Sequence, residues 1–225
     1  ELYMKLKKQY GMDILVNVDI HRIKQKEVEE LLNKLNHDDN VHGIIVQLPL
    51  ADPSQTDKIV REISPDKDVD GLVEHSKFEP ATPMAILWLL SGYNVDMTNK
   101  VVVLVGRGKL VGAPLENMLR ASGIIPSVVV KETPNGPDEI KKGDIVITAT
   151  GVAGLIKPDM LKEGAVVVDA GVASEGAKTV GDVAQEVYEQ REDLIITPRK
   201  GGVGPLTVCA LFENVILSAQ RRAEK

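Results

Sequence analysis

The sequence predicts an α/β fold of two domains: an N-terminal α/β domain, and a Rossmann-type nucleotide-binding domain with a parallel sheet. Short continuous runs of apolar residues alternate with helical patterns, which is typical of parallel sheets covered on both faces. A glycine-rich segment follows one of these runs and precedes a helical pattern, as in folds that bind nucleotides. The length of 225 residues suits one large or two small domains.

The first part of the chain predicts a mixture of helices and strands. Apolar residues recur at helical spacing in three segments and stand in continuous runs in two others. The predicted helices cover residues 2–9, 28–35 and 57–63, and the predicted strands cover residues 14–18 and 43–46. A further helix is expected to have Thr82 as its N-cap, Pro83 at its first position, and its end near Leu90.

The second part of the chain predicts a series of strand–helix units. Val101–Val105 is a run of five aliphatic residues, too short and too branched for a surface helix, so we expect a central strand there. A helix should follow the glycine-rich segment and end near Ala121. Further strands are expected at residues 128–130, 145–148, 166–169 and 194–197.

These elements divide the chain into two predicted domains. The first comprises residues 1–84, and an amphipathic C-terminal helix within residues 206–225 is expected to pack back on it and complete it. The second comprises residues 85–205. Because Glu1 already lies in a helical pattern, we expect the N-terminus of the first domain to be incomplete.

Composition and charge argue against several classes of protein. The chain is 43% hydrophobic and 27% charged, which excludes a disordered or fibrous protein. A net charge of −6 argues against nucleic acid as a partner, because phosphate binding needs a positive field. No uninterrupted apolar run approaches the ~18 residues that span a bilayer, so no membrane partner is expected. The single cysteine, Cys209, suits the reducing cytoplasm, and the four histidines lack the spacing of metal ligands.

The glycine-rich segment of the second domain predicts a dinucleotide site. Gly106 would supply the tight turn, Gly108 the close approach of a pyrophosphate, and Gly112 the packing of the helix on the strand. The spacing G-x-G-x-x-x-G is one residue longer than the standard fingerprint. From the residues alone, a purely structural turn therefore stays open.

The choice between NADP and NAD depends on charge near the end of the second strand of this domain. Lys131 stands there beside Glu132, and Arg107 adds a cation in the glycine-rich loop. A cation accepts the additional phosphate of NADP, whereas a carboxylate binds the ribose of NAD. The two cations favour NADP.

Three further segments carry candidate substrate contacts. Gln47 ends a predicted buried strand, where an amide must find partners or face a cleft. The acidic segment Asp66–Gly71 could also be only a solvated turn. Three glycines within residues 201–204 indicate unusual backbone conformations or close approach of a ligand, and the ligand is favoured because a plain loop seldom needs so many.

Taken in order, these motifs resemble the bifunctional methylenetetrahydrofolate dehydrogenase/methenyltetrahydrofolate cyclohydrolase family. The matching segments, which cover almost the whole chain, are Gln47-Leu48-Pro49-Leu50, Pro65–Gly71, Pro80–Pro83, Gly106-Arg107-Gly108 with Val111-Gly112-x-Pro114, Val180–Val183 and Gly201–Thr207. The resemblance implies oxidation of 5,10-methylenetetrahydrofolate with a nicotinamide cofactor, followed by hydrolysis to 10-formyltetrahydrofolate. The cations noted above favour NADP as this cofactor, with NAD as the alternative. The resemblance also implies a homodimer.

The resemblance implies particular catalytic residues. The family's Tyr-x-x-x-Lys pattern is present as Tyr3 and Lys7, so Lys7 is implied as the catalytic lysine and Tyr3 as its substrate-stacking neighbour. Gln47 is implied as the hydrogen-bond partner of the lysine, and Asp70 as the carboxylate that holds the pterin ring. A gapless alignment back from Gln47 would instead put Tyr3 at the lysine position. The intact spacing favours Lys7.

The same motifs imply further binding residues. The implied cofactor contacts are Gly106, Arg107, Gly108, Val111, Gly112, Lys131, Thr148, Gly151 and Gly171. The implied substrate contacts are Tyr3, Gln47, Leu48, Pro49, Asp70, Gly202 and Pro205.

The chain departs from the family pattern at several positions. Gly108 replaces a serine, and Arg199-Lys200 brings two cations that could contact the substrate's glutamate tail or the cofactor. The segment from Gly71 to Thr82 is shorter than expected, either because the loop is short or because residues are missing from this chain.

Three other functions stay open from the sequence. An amino-acid or hydroxy-acid dehydrogenase would share the nucleotide domain, but it needs a histidine, or a lysine beside an acid, and no set in this chain is convincing. A monofunctional methylenetetrahydrofolate dehydrogenase would lack the hydrolase activity. A non-catalytic nucleotide or folate binder would have kept the fold without the chemistry.

Overall fold

The computed structural model describes residues 2–175 and 178–224. The chain forms two compact units, one of Glu1–Ala81 with Thr207–Lys225 and the other of Thr82–Leu206. The first unit ends at Ala81, close to the boundary expected at residue 84, and it includes the C-terminal segment.

The first unit begins with helices where the sequence predicts them. They are α1 (Leu2–Asp13), α2 (Val28–His37) and α3 (Thr56–Arg61), with short 3-10 turns at Gln25–Glu27 and Pro53–Gln55. α1 and α2 extend beyond their predicted ends. Leu32 of α2 packs with Ile44, Ile59 and Ile63, and these four buried residues form a core of this unit.

The two strands predicted in the first unit are wrong. At residues 14–18 the chain turns back on α1: Leu15 has a left-handed φ of 61° and is 95% exposed, and the Val16 N–H donates to the Gly11 carbonyl oxygen at 2.8 Å. At residues 43–46 only Ile44 pairs, through one parallel bridge to Asp68. A strand needs a neighbour for its backbone groups, and a short apolar run does not reveal whether one exists.

The second unit contains seven strands among the described residues: β1 (Val102–Val105), β2 (Ser127–Val129), β3 (Ile145–Thr148), β4 (Val166–Asp169), β5 (Ala173–Glu175), β6 (Lys178–Val180) and β7 (Ile195–Ile196). Five of them form a parallel sheet of order β2-β1-β3-β4-β7, and β5 and β6 form a separate antiparallel hairpin. The strands predicted for the sheet are confirmed to within one residue at each end. Its helices are α4 (Ala81–Gly92), α5 (Gly112–Ala121), α6 (Gly136–Ile140) and α7 (Gln185–Gln190).

Helices cover both faces of the sheet. Val102 and Leu104 of β1 pack in a core with residues of α4 and α5, whereas Val103 and Val105 pack in a second core with residues of α6 and α7. Burial on both faces explains why β1 and β3 are continuous aliphatic runs. Because the pairings are parallel, Val105, Thr148 and Asp169 stand in register at the carboxyl edge. Ligands of such folds bind outside this edge.

α4 begins two residues earlier than predicted. It starts at Ala81, so Thr82 lies inside its first turn and the predicted N-cap role for Thr82 is wrong. Pro83 is tolerated there because the N–H groups of the first turn have no partner within the helix.

The last helix, α8 (Val203–Ala223), begins three residues before the predicted start and packs back on the first unit, as expected. By length and composition alone it is apolar enough to cross a membrane. Its polar side chains nevertheless bind backbone inside the first unit: the Asn214 Nδ2 donates to the Val69 and Glu79 carbonyl oxygens at 2.8 and 2.9 Å. Ser218 donates to the Asp66 carbonyl oxygen at 3.1 Å. α8 is therefore a core helix of this unit.

Candidate active site and cofactor loop

A lysine, an amide and a carboxylate lie together in the first unit. The Lys7 Nζ donates to the Gln47 Oε1 at 3.0 Å, across 40 residues of sequence. Asp70 interacts electrostatically with Lys7. Lys7 and Asp70 are partly buried, and Gln47 is exposed, although the sequence suggested a buried amide. The three residues implied by the family resemblance therefore form one cluster.

Burial changes the protonation of this cluster. It lowers the pKa of Lys7, and the charge of Asp70 opposes that shift in part. It also raises the pKa of Asp70 from 3.8 to about 6, with a smaller opposing effect from Lys7. The attraction between Lys7 and Asp70 favours the charged form of each group. Because both pKa values shift the opposite way, the cost of removing the charged groups from water outweighs that attraction. Both pKa values therefore move toward neutrality, which suits groups that transfer or share protons.

The segment that carries Asp70 is built into the first unit and is not a solvated turn. Lys67 and Asp68 are buried, at 1% and 0% exposed. The Lys67 Nζ donates to the Leu35 and Asp38 carbonyl oxygens at 2.6 and 2.7 Å, which caps the C-terminal end of α2. The Asp68 Oδ2 accepts from the Val73 N–H at 2.7 Å. Asp70 is thus held by residues on both sides of it.

The short connection after Asp70 is a compact loop. Gly71 has φ +71°, and a Cβ there would lie 2.6 Å from the Pro80 nitrogen. The Ala81 N–H donates to the Asp70 carbonyl oxygen at 3.3 Å. The loop therefore closes on itself within the described residues.

The remaining predicted substrate residues lie at different places. Tyr3 is in α1, one turn before Lys7, and its side chain lies outside the described residues. Leu48 and Pro49, joined by a cis peptide, directly follow Gln47, whose Nε2 donates to the Leu48 carbonyl oxygen at 3.2 Å. In the second unit, Gly202 immediately precedes α8 and Pro205 lies in its first turn.

The glycine-rich segment joins β1 to α5. Gly106 has φ +96°, and a Cβ there would lie 2.9 Å from the Ala149 carbonyl oxygen. A Cβ at Gly112 would overlap the Gly106 carbonyl oxygen and lie 2.9 Å from the Arg107 Cα. These contacts agree with the tight turn and the close helix packing that the spacing predicts. Gly108, by contrast, faces open space, which leaves room for a ligand beside the backbone.

The start of α5 suits an anionic group. Its N-cap residue, Val111, makes no side-chain capping bond, and the N-terminus of a helix attracts an anion such as a phosphate. The structure thus offers the two features that a pyrophosphate needs, an open backbone cradle and a helix N-terminus. NADP fits these residues.

Arg107 is held at this loop by a buried glutamate. Its Nε donates to the Glu116 Oε2 at 2.7 Å, and the Arg120 Nε donates to the Glu116 Oε1 at 3.0 Å. These hydrogen bonds lower the pKa of Glu116. Sequence reasoning missed Glu116, although its spacing of four residues from Arg120 on a helix is a usable signal. The other predicted charges, Lys131 and Glu132, follow β2 and are exposed.

Three predicted cofactor residues lie at the turns after β3 and β4. Thr148 is fully buried, and its hydroxyl donates to the Asp182 Oδ2 at 2.6 Å, so the hydroxyl is already engaged. Gly151 is exposed with φ +70°, in the turn after β3. Gly171, in the turn after β4, leaves no room for a Cβ because the Asp182 carboxylate fills that space. Sequence reasoning noted the segment that contains Asp182 but gave this residue no role.

One of the cations that depart from the family pattern is engaged within the second unit. The Arg199 guanidinium lies 5.7 Å from the ring centroid of Tyr188, in cation–π contact. Lys200 follows it and is exposed.

Comparison with known proteins gives matches along the whole chain. The family model described as tetrahydrofolate dehydrogenase/cyclohydrolase, catalytic domain, matches residues 1–70, and the one described as its NAD(P)-binding domain matches residues 80–223. The bifunctional protein FolD of Campylobacter jejuni is 39% identical, over 99% of this chain and 84% of that protein.

Several solved structures are similar over 100% of this chain, and two of them have a TM-score of 0.88. One is a 5,10-methylenetetrahydrofolate dehydrogenase from the silkworm Bombyx mori, with a TM-score of 0.88, 32% identity and 85% of that chain covered. The other is the methylenetetrahydrofolate dehydrogenase-cyclohydrolase of Trypanosoma brucei in complex with NADP and an inhibitor, with a TM-score of 0.88, 30% identity and 83% covered.

Proposed function

This chain belongs to the tetrahydrofolate dehydrogenase/cyclohydrolase family, and from that premise we propose that it performs both of the family's reactions. It oxidises 5,10-methylenetetrahydrofolate to the methenyl compound with NADP, and it hydrolyses that compound to 10-formyltetrahydrofolate. The single observation that carries the second reaction is the hydrogen bond between Lys7 and Gln47 beside Asp70.

The oxidation depends chiefly on positioning. When bound, NADP would supply the acceptor for a hydride from the methylene carbon of the folate, while the lone pair of the folate nitrogen forms the new C=N bond. The glycine-rich loop and the start of α5 would hold the pyrophosphate through backbone N–H groups. Arg107, oriented by Glu116, supplies the positive charge that favours NADP over NAD. The backbone in this site therefore binds and orients, and it takes no part in proton transfer.

The hydrolysis depends on proton transfer by side chains. Lys7 in its neutral form accepts a proton from the water that attacks the methenyl carbon. The ring then opens: the bond between that carbon and one folate nitrogen breaks, and this nitrogen takes up a proton as the formyl group forms on the other. The pKa of Lys7 is already lowered by burial, and the approach of a cationic substrate lowers it further. The Gln47 oxygen orients the amine without adding a charge, whereas a carboxylate in its place would keep the lysine protonated.

Asp70 holds the substrate. A carboxylate can accept two N–H bonds from the amidine edge of a pterin ring, and such charge-assisted bonds are strong when buried. Its pKa of about 6 keeps most of the group ionised at pH 7. Tyr3, one helical turn before Lys7, is proposed to stack on the same ring.

We also propose that the protein works in one-carbon metabolism as a cytoplasmic homodimer, with folates as substrates and with no nucleic-acid or membrane partner. The unpaired Cys209 supports a reducing compartment. The family resemblance supports the dimer.

The experiment follows absorbance after mixing the protein and methylenetetrahydrofolate with NADP or with NAD. Reduced cofactor should form faster with NADP, and the methenyl absorbance should not accumulate. Accumulation of the methenyl compound would indicate a monofunctional dehydrogenase. No reduction of either nucleotide would indicate a non-catalytic binder.

A further inference from the structure

Two carboxylates lie at the carboxyl edge of the sheet in the second unit, where β3 and β4 end. Asp182 is 0% exposed, and Asp169 is partly buried. Burying a carboxylate is unfavourable unless hydrogen bonds replace its hydration. Each of the two accepts three hydrogen bonds from the protein, so their position is built by the fold.

Asp182 fixes the turn that follows β3. Its Oδ2 accepts from the Thr148 hydroxyl and from the Thr150 N–H, both at 2.6 Å, and its Oδ1 accepts from the Val152 N–H at 3.0 Å. These donors span five consecutive residues. Because both carboxylate oxygens are used, an amide of the same shape would turn an NH₂ group toward at least one donor.

Asp169 in turn fixes the backbone of Asp182. Its oxygens accept from the N–H groups of Gly171, Asp182 and Val183, each at 3.0 Å. Its own N–H donates to the Thr197 hydroxyl at 3.0 Å, just before the glycine-containing segment at residues 201–204. The network therefore ties together the segments that follow three strands of the sheet.

Glycines make room for the two carboxylates. A Cβ at Gly171 would overlap the Asp182 carboxylate, and a Cβ at Gly181 would overlap that of Asp169. The carboxylates therefore explain why a residue without a side chain is needed at both positions.

The turn held by Asp182 supports the cofactor loop. A Cβ on Gly106 would lie 2.9 Å from the Ala149 carbonyl oxygen and 3.0 Å from the Thr150 Cγ2, so the glycine-rich loop packs directly on this turn. The Ala149 N–H also donates to the Val105 carbonyl oxygen at 2.9 Å. A movement of residues 149–150 would therefore move Gly106.

We propose that Asp182 is a positioning residue of the cofactor site, which holds the turn at residues 148–152 in the conformation on which the glycine-rich loop rests. The proposal rests on the proposed function, in that the ligand of this loop is NADP. Because Asp182 is 0% exposed, it acts through the backbone that it binds. It determines how tightly the cofactor binds by keeping the backbone beneath the loop in place.

The test compares Asp182→Asn with a matched control, Asp193→Asn. Asp193 also binds a backbone N–H, that of Gly164 at 2.9 Å, together with Arg191, but it lies near the opposite, amino-terminal edge of the same sheet. Both substitutions remove a hydrogen-bonded carboxylate. Only Asp182→Asn should raise the Kd for NADP in calorimetry, and the KM for NADP, by about ten-fold or more.

The hydrolysis of the methenyl compound, assayed without nucleotide, separates positioning from general stability. It depends on side chains of the first unit and should change less than about two-fold in Asp182→Asn. An unchanged Kd for NADP, or an equal rise in Asp193→Asn, would overturn the proposal. If Asp182→Asn lost hydrolysis and NADP binding to the same extent, the proposal would also be overturned, because this result would indicate a merely structural role for Asp182.

Thr148 provides a milder variant in case Asp182→Asn does not fold. Thr148→Val removes the hydroxyl bond to Asp182 and keeps the side-chain shape, so it should weaken NADP binding about three- to ten-fold, and more than Thr148→Ser does. Equal affinity of the two variants would contradict the proposal. The binding of NADP is measured directly, so the test of Asp182 does not depend on catalysis. If the wild-type protein binds NADP without reducing it, the proposed function is wrong, and the Kd values of the variants still test the role of Asp182.

Discussion

The two candidate sites of this protein are built by different means. In the first unit, three side chains from segments far apart in sequence meet, and burial shifts the pKa values of two of them. In the second unit, the site is mostly backbone: glycines that leave no room for a Cβ, a helix N-terminus and turns fixed by buried carboxylates. Proton transfer needs tuned side chains, whereas binding a nucleotide needs shape. The two sites should therefore respond to different substitutions.

The largest effect in the cofactor site should come from adding a single methyl group. Gly112→Ala would press a Cβ against the Gly106 carbonyl oxygen and displace the loop. A misplacement of about 1 Å can reduce a rate about 100-fold, so kcat/KM for NADP should fall by that order. Overpacking should also lower the free energy of unfolding by about 1–3 kcal/mol.

Gly108→Ala is the matched control for this variant, because nothing lies within 4 Å of a Cβ there. It should melt at the wild-type temperature. Equal loss of stability in both variants would show that the close contact at Gly112 does not matter. In both variants, the hydrolysis of added methenyl compound should persist if the hydrolysis site and the cofactor site are separate.

A smaller effect is expected from the side chain that selects the nucleotide. Arg107→Gln removes the charge that favours NADP and should raise the KM for NADP about ten-fold, with little change in the KM for NAD. Arg120→Gln is the control, since Arg120 binds the same Glu116 but lies outside the glycine-rich loop. Steady-state kinetics with both nucleotides measure the ratio of the KM for NADP to the KM for NAD. If this ratio is unchanged in Arg107→Gln, then Arg107 is not part of the cofactor site.

The smallest expected effect concerns stability in the folate site. The pKa of Asp70 is about 6 when folded, above its ordinary 3.8, so the folded protein binds this proton more tightly than the unfolded chain does. The free energy of unfolding should therefore fall as the pH rises from about 4 to about 6. Asp70→Asn should remove this fall and gain about 1 kcal/mol at pH 7, a figure reduced because the group is partly exposed.

Denaturant unfolding at pH 4.5 and pH 7 measures this difference. Asp66→Asn, an exposed carboxylate in the same segment, serves as the control and should follow the wild type. If Asp70→Asn instead loses stability at pH 7, then the attraction between Asp70 and Lys7 outweighs the cost of burying the carboxylate, and desolvation is not the dominant cause of the pKa shift.

The contrast between the units also explains what the sequence could predict. The strands of the second unit are buried on both faces, so their aliphatic runs identify them almost to the residue. The run at residues 14–18 is also mostly aliphatic, interrupted only by Asn17, but it has no strand partner among the described residues and turns at Leu15 instead. A local pattern of apolar residues indicates burial, but it does not show whether a neighbouring strand is present to pair with.

For the two candidate sites, too, local sequence patterns predict only part of the structure. The glycine spacing predicted the loop after β1, and the family motifs brought Lys7, Gln47 and Asp70 to attention. The partners of Asp182 lie 30 to 34 residues before it, so no local pattern joins them. Lys67 would be taken for a surface lysine, yet it is buried because it caps α2 from a distant segment.

The most direct measurement uses Lys7→Met, with Lys8→Met as the control, since Lys8 is an exposed lysine of the same helix. The time course of methenyl and reduced-cofactor absorbance is followed with methylenetetrahydrofolate and NADP. Lys7→Met should still reduce NADP but accumulate the methenyl compound, with hydrolysis at least about 100-fold slower, and Lys8→Met should behave like the wild type. Normal hydrolysis by Lys7→Met would contradict the role of Lys7 as the proton acceptor.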